Sequence, residues 1–258
     1  MHDSNSEDVL LNGLEHARAG DLGEVELYLL SGRSLSVKVR KDRLEDFQNA
    51  SSAGLGVRMI KDHRCGYSYT EDLTQDSVNS AIENASRLAA LNPADEHNCL
   101  AEPGGDYPLF EQMDREIEET LVSKKIEMAR LLESTAMSVD ERIVNVPDAD
   151  YGDGSRAVTI ISSKGVRASY IRNGAGISIG LMAREGEQVK SSFKYKYSPR
   201  FSDLDPEALA RKTAREALAR LGARQAASGS MPVVFNSEAA RDLLAAFSGI
   251  FSARSVQK

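Results

Sequence analysis

Four histidines, His2, His16, His63 and His97, and two cysteines, Cys65 and Cys99, are the side chains of this 258-residue sequence best suited to metal or nucleophilic chemistry. None of the histidines stands in H-E-x-x-H or a similar helical pairing that would aim two imidazoles at one metal ion. Glu96, His97 and Cys99 lie close together, but three donors on a proline-flanked loop without a second pair read as solvated loop residues. Cys65 follows a turn and has no identifiable base, which makes it a partly buried strand cysteine. The run Asp148 to Gly154 begins like a calcium loop. Its sixth position is Asp153 where glycine is needed, and Thr159 stands where a bidentate glutamate belongs, so the run reads as a plain turn. Ser191-Ser192-Phe193-Lys194 matches the S-x-x-K spelling of acyl-transfer enzymes, yet its surroundings alternate like a strand and set Ser191 and Lys194 on opposite faces. Gly54-Leu55-Gly56 and Gly174-Ala175-Gly176 lack the strand, turn and helix context of a dinucleotide site and read as strand entries or bulges. Phe193-Lys194-Tyr195-Lys196-Tyr197 interleaves bases and aromatics, and a solvated sheet face outweighs a nucleic-acid strand. The acidic run Glu111 to Glu119 reads as a wet helix surface. No catalytic, cofactor-binding or metal-ligating residue is assigned.

The elements that would position these residues begin with composition. A hydrophobic content of 41% supports packed cores and rules out whole-chain disorder. A formal charge of -7 argues against a general nucleic-acid binder. The N-terminus, Met-His-Asp-Ser-Asn-Ser-Glu-Asp, is acidic where a secretory signal is basic and then apolar. Two cysteines make no disulfide framework. No stretch approaches the roughly 18 apolar residues of a membrane span. A cytoplasmic protein without membrane or nucleic-acid partners is expected.

Apolar spacing predicts a helix over 8–19 with Gly20 as its left-handed cap. Strands follow at 25–29 and 35–39, meeting in a hairpin at Ser31-Gly32-Arg33, then at 43–48, 54–60 and 65–70 with a turn over 61–64. Thr74 is set to cap a helix striped by Val78, Ile82, Ala85 and Ala89. Pro93 to Pro108 marks a connection. A second long helix carries Val122, Ile126, Ala129, Leu132 and Ala136, and strands at 158–170, 177–181 and 193–197 lead to a helix opened by Asp205-Pro206 and closed by Gly222. A strand at Pro232 to Phe235 and a helix opened by Ser237 end the chain. The expected fold is α+β, two consecutive domains at 1–98 and 110–225, each with an antiparallel sheet and packed helices, and the start of an incomplete third domain at 231–258. Leu243, Leu244, Phe247, Ile250 and Phe251 form an apolar stripe in that last segment that calls for cover.

Ser34 to Lys41, Ala53 to Ile60 and Gly66 to Leu73 resemble the first domain of the TldD/PmbA family, and Met231-Pro232-Val233-Val234-Phe235, followed by a helix, Gly249 and Ser255-Val256, resembles the start of its third domain. The resemblance covers nearly the whole chain and fits the PmbA (TldE) branch better. It implies a subunit of a cytoplasmic metalloprotease, also described as a modulator of DNA gyrase, that acts on small or unfolded peptides. In that family the TldD-type subunit carries the zinc motif in its third domain, and the PmbA-type subunit lacks those ligands. The resemblance therefore implies no cofactor in this chain, zinc in a TldD-type partner, and a heterodimer or self-association. The alternative is a non-catalytic peptide-binding or scaffolding module.

Overall fold

The computed structural model describes residues 4–105 and 107–256; His2 lies outside the described residues. Val9, Leu10, Leu14 and Ala17 wind onto one side of α1 (Ser4–Ala19). Its left-handed cap falls one residue later than expected. Asp21, at φ 47°, takes that conformation, while the Leu22 amide returns to the Ala17 carbonyl and the Asp21 amide to that of Arg18. This is the paired-bond helix ending that satisfies two orphan carbonyls, and aspartate tolerates it.

No hairpin forms at Ser31-Gly32-Arg33. The odd positions Val25, Leu27, Leu29, Leu35, Val37 and Val39 keep one parity throughout, and they lie on one uninterrupted strand, β1 (Glu24–Arg40), with all six buried. Gly32 is needed for passage rather than turning: a Cβ there would stand 2.8 Å from the Ser155 carbonyl. The reversal comes at Lys41 and Asp42, at φ 53° and 58°, the mirror-image turn that suits strand twist. The Glu133 carboxylate receives both turn amides, at 2.6 and 2.8 Å. Likewise the two strands expected at 43–48 and 54–60 are one, β2 (Arg43–Lys61), which turns at Asp62 and His63, at φ 49° and 58°, into β3 (Arg64–Thr70).

α2 (Gln75–Leu91) buries Val78, Ile82, Ala85 and Ala89 as its stripe predicts. Thr74 occupies the N-cap without capping: its hydroxyl donates to Asp72, whose carboxylate also receives the Ser77 hydroxyl and the Thr74 amide. The connection that follows is tied back by Arg58 to the Cys99 carbonyl and by Asn98 to the His63 carbonyl. Beyond it come β4 (Phe110–Gln112), α3 (Arg115–Glu119) and α4 (Val122–Val139). The acidic run at 111–119 is thus part strand, part short helix. Asp114 caps α3 through the Glu116 amide and also receives the Phe201 amide.

β5 (Ile143–Ser162), β6 (Arg167–Glu185) and β7 (Gln188–Ser198) complete the strands. Asp148 to Gly154, expected as a turn, runs in the middle of β5, and both Gly-x-Gly pairs are interior strand positions rather than entries. α5 (Pro206–Ala219) opens with Asp205 accepting from the Ala208 amide and is followed by Gly222 at φ 77°.

All strands join one sheet in the order β3-β2-β1-β5-β6-β4, with β7 pairing β6. Pairing is antiparallel except for the three-residue parallel contact of β4 with β6. The strands of the two sequence halves meet where β1 pairs β5 from Glu26↔Ser162 to Lys38↔Asp150. The odd positions of β1 serve two cores: Val25, Leu27 and Leu29 pack with α1 and α2, and Leu35, Val37 and Val39 with α3, α4 and α5. The fold is α+β with its five packed helices on one face.

Residues 223–258 form a separate unit. The strand expected at Pro232 to Phe235 is irregular chain, while Ser237 opens α6 (Ser237–Phe247) as expected, with Asn236 before it as the N-cap, accepting from the Ala239 amide. Leu243, Leu244, Phe247, Ile250 and Phe251 are 46 to 81% exposed.

Candidate functional site

Because side chains alternate across a strand, a sheet whose odd positions are covered by helices presents its other positions to the opposite side. From β1 to β7 the pairing builds that side in rows. Gly32, Arg156 and Arg172 form one; Ser34, Gly154 and Gly174 the next; Ser36, Gly152, Gly176 and Tyr197 a third; Lys38, Asp150, Ser178 and Tyr195 a fourth. Asp148, Gly180 and Phe193 follow. The floor is small and the wall aromatic.

That wall stands on a strand of inverted polarity. Ser192, Lys194 and Ser198 of β7 are buried, while Phe193, Tyr195 and Tyr197 are about 60% exposed. The inward polar groups are satisfied: the Ser192 hydroxyl donates to Glu216 at 2.7 Å, Lys194 pairs with the same carboxylate at 3.1 Å, and the Ser198 hydroxyl donates to Asp203. The Ser192 hydroxyl, with Lys194, holds the Glu216 carboxyl below its ordinary range. An ordinary half-buried strand puts apolar side chains inward. Here three rings face out along about 13 Å of strand, and the Tyr197 ring lies across Gly174, where a Cβ would come within 2.1 Å of the tyrosine oxygen.

The two ends of this face differ in charge. At one end Lys38 donates to Asp148 at 2.9 Å and lies 3.6 Å from Glu45, and the Asp148 contact raises its pKa. Burial pushes the Asp150 carboxyl up, against a hydrogen bond from Ser178. At the other end Arg156 and Arg172 stand directly opposite each other. Arg156 reaches the Tyr28 oxygen at 3.4 Å and Arg172 lies over the Tyr170 ring. A cavity of about 320 Å³ is lined there by both arginines, Gly152, Gly154, Gly174 and Tyr197, among others.

The helix side holds a buried polar network. Lys125 of α4, 1% exposed, donates to Asp153 and to the Ile117 carbonyl; the Tyr151 hydroxyl also donates to Asp153, at 2.9 Å. Burial, reinforced by the Asp153 charge, pushes the tyrosine pKa up. The second Asp153 oxygen has no hydrogen bond, with Arg33 3.8 Å away and itself bonded to Glu118.

The sequence candidates do not assemble. His16 bonds Glu83 at 3.1 Å, His63 sits in a tight turn, and His97 is exposed beside Glu96. Cys65 is half-buried and Cys99 exposed, both unpaired. Among the described residues no three histidines, cysteines or carboxylates gather where a metal ion could sit. The donor set described here does not fit a catalytic metal. Ser191 and Lys194 do face opposite ways. Sequence reasoning missed Lys125, Asp153, Arg156 and Arg172. The signal available was glycine at alternate positions, Gly152 with Gly154 and Gly174 with Gly176, which marks a strand that something approaches closely.

Residues 25–89 match the family model for PmbA/TldA metallopeptidase domain 1, and residues 115–221 that for the PmbA/TldA metallopeptidase central domain. The Metalloprotease PmbA homolog of Haemophilus influenzae is 24% identical over 245 residues, covering 93% of this chain and 53% of its own. Metalloprotease PmbA of Escherichia coli O157:H7 is 24% identical over 259 residues, covering 98% and 56%. The Metalloprotease TldD homolog of Buchnera aphidicola is 21% identical, covering 90% and 50%. The chain spans about half the length of the curated relatives it matches. A Bacteroides thetaiotaomicron structure, a candidate modulator of DNA gyrase, superposes with TM-score 0.79 at 26% identity over 89% of this chain and 53% of its own. TldE from Thermococcus kodakarensis shares the fold, with TM-score 0.72 at 21% identity over 81% and 47%.

Proposed function

This chain belongs to the PmbA/TldD metallopeptidase family, and we propose that it serves there as the non-metal-binding partner in a cytoplasmic complex that handles small or unfolded peptides. The observation that carries this reading is the inverted strand β7. Its aromatic residues face away from the helices, beside a floor of glycine and serine on which an extended chain can lie. Such a face holds a peptide without cleaving it; the donors for an activated water would come from a TldD-type partner. Residues 231–258 then belong to a further domain, in which the exposed apolar side of α6 is the surface to be covered. The unpaired Cys65 and Cys99 suit a reducing compartment, and no described helix is long and apolar enough to cross a membrane.

A peptide-cleavage assay with and without a TldD-type metalloprotease, paired with metal analysis, tests this reading. The chain alone is expected to leave peptides intact and to alter cleavage when the partner is added. Chelator-sensitive cleavage by the chain alone, with stoichiometric metal, overturns it. The alternative, a peptide-binding module independent of any protease, is favoured if peptides bind and the TldD-type protein does not.

A further inference from the structure

Two guanidinium groups in direct cross-strand register repel each other. Arg156 and Arg172 are so placed, and neither makes an ion pair with any described acid. The acidic residue nearest on β5, Asp153, is at a helix-facing position and held by Lys125 and Tyr151. Among the described residues the Tyr197 hydroxyl, beside Gly174, makes no hydrogen bond, so three sets of donors border one cavity in which they lack an acid partner; the Asp153 carboxylate that also lines it is held by Lys125 and Tyr151. A carboxylate, which accepts two parallel bonds from a guanidinium, fits that lack.

We propose that Arg156, Arg172 and the Tyr197 hydroxyl form a carboxylate-binding site that receives the C-terminus of a short extended peptide lying on the helix-free face of the sheet. The peptide part of this proposal rests on the function proposed above. The cavity, about 320 Å³, has room for little more than a terminal residue. From it the ring wall Tyr197, Tyr195 and Phe193 leads away, offering apolar contact to the preceding residues. The opposite pole, Asp148 and Asp150, lies six residues back along β5, about 20 Å, and suits the free amino end of a peptide of about six residues. A polyanion is disfavoured by the same acidic pole and by the net charge of -7.

The test uses the full chain and two probes, N-acetyltyrosine and its amide, read on the arginine Nε–Hε resonances. The acid is expected to shift Arg156 and Arg172, and the amide neither. The R156Q/R172Q double variant, altered at two exposed positions, is expected to lose roughly tenfold or more in affinity, and R184Q on the same strand as Arg172 to lose none. Equal shifts by acid and amide, or equal affinity in the double variant, overturn the site. A hexapeptide with a free C-terminus, its amide, and an amide carrying an internal glutamate form the second arm. Binding by the glutamate-bearing amide as tight as by the free acid overturns the C-terminal assignment. Peptides that bind regardless of amidation and of the arginines leave the peptide reading standing and remove the carboxylate site. N-acetyltyrosine that binds without competition from any peptide does the reverse. Displacement by a thymidine octamer as strong as by the free hexapeptide assigns the arginines to nucleic acid and overturns the proposal.

Discussion

The two faces of the sheet are built by the same strands, yet one is helix-covered and the other is not. On the covered face Val25, Leu27, Val37, Ala149, Tyr151, Ile177 and Ile179 are almost wholly buried, and even the charged Lys125 is enclosed. On the bare face glycine, serine and exposed aromatics take the alternate positions. Where stability comes from burial, the covered face must carry most of it, which leaves the other free to be shaped for contact. β7 shows this division within one strand, since its inward positions are polar and satisfied while its rings face outward.

The sharpest way to break that comparison is to remove one cation from each face. Lys125→Met leaves the Asp153 carboxylate buried with the Tyr151 hydroxyl and a distant Arg33, and a loss of about 3–5 kcal/mol is expected. Lys38→Met deletes the partner of Asp148 at a partly exposed position, where a loss under about 1 kcal/mol is expected. Denaturant unfolding of both variants checks this, and equal losses would mean the bare face is as firmly packed as the other.

Glycines give a second contrast of smaller size. Gly66 of β3 lies against α2, and a Cβ there would stand 2.0 Å from the Ala85 carbonyl oxygen and 2.4 Å from the Ala89 nitrogen. Backbone on both sides cannot yield, so Gly66→Ala is expected to cost about 3 kcal/mol, the upper end of ordinary overpacking. At Gly174 the obstacle is the outer end of the Tyr197 side chain, which can swing away. Gly174→Ala is expected to cost under about 1 kcal/mol while displacing the ring, seen as a change in tyrosine fluorescence or in the Tyr197 ring resonances.

The same distinction decides what the sequence reveals. The α2 stripe, the Asp205-Pro206 start and the turn at Asp62-His63 are local, and residue types and spacing suffice to find them. The continuity of β1 is harder to see because Ser31-Gly32-Arg33 spells a turn; its glycine is there for the close approach of β5, more than a hundred residues away in sequence. The true reversal at Lys41-Asp42 contains no glycine and is held by Glu133 from α4. Asp148 to Gly154 reads as a turn for the same reason: its glycines are strand positions, and its Asp153 has a partner in Lys125 that no spacing rule announces. Phe193 to Tyr197 reads as a solvated sheet face and is one, yet which alternate positions are wet is not legible, because β7 places its aromatics opposite to where hydrophobic patterning would put them.

The smallest expected effect is in the pH dependence of stability, where the two faces carry carboxylates shifted in opposite senses. Glu216, facing Ser192 and Lys194, is held below its ordinary value of 4.5. Its charge therefore stabilises the fold above that value, and the contribution is lost as pH falls through 4.5 toward the lower folded pKa. Asp150 on the bare face is raised above 3.8 by burial, with Ser178 and Lys38 pulling the other way. Its charged form weakens the fold above the folded pKa, and that penalty disappears as pH falls from there to 3.8. At neutral pH Glu216→Gln should thus lower stability and Asp150→Asn raise it slightly, and both differences from the parent should fade on acidification. They fade over different windows, for Asp150 on the alkaline side of 3.8 and for Glu216 on the acid side of 4.5. Thermal unfolding of the two variants from pH 3 to 7 separates them. A stability loss in Asp150→Asn at neutral pH would show that the hydrogen bond from Ser178 and the attraction of the Lys38 charge outweigh its burial, and the bare face would then be a contributor to stability in its own right.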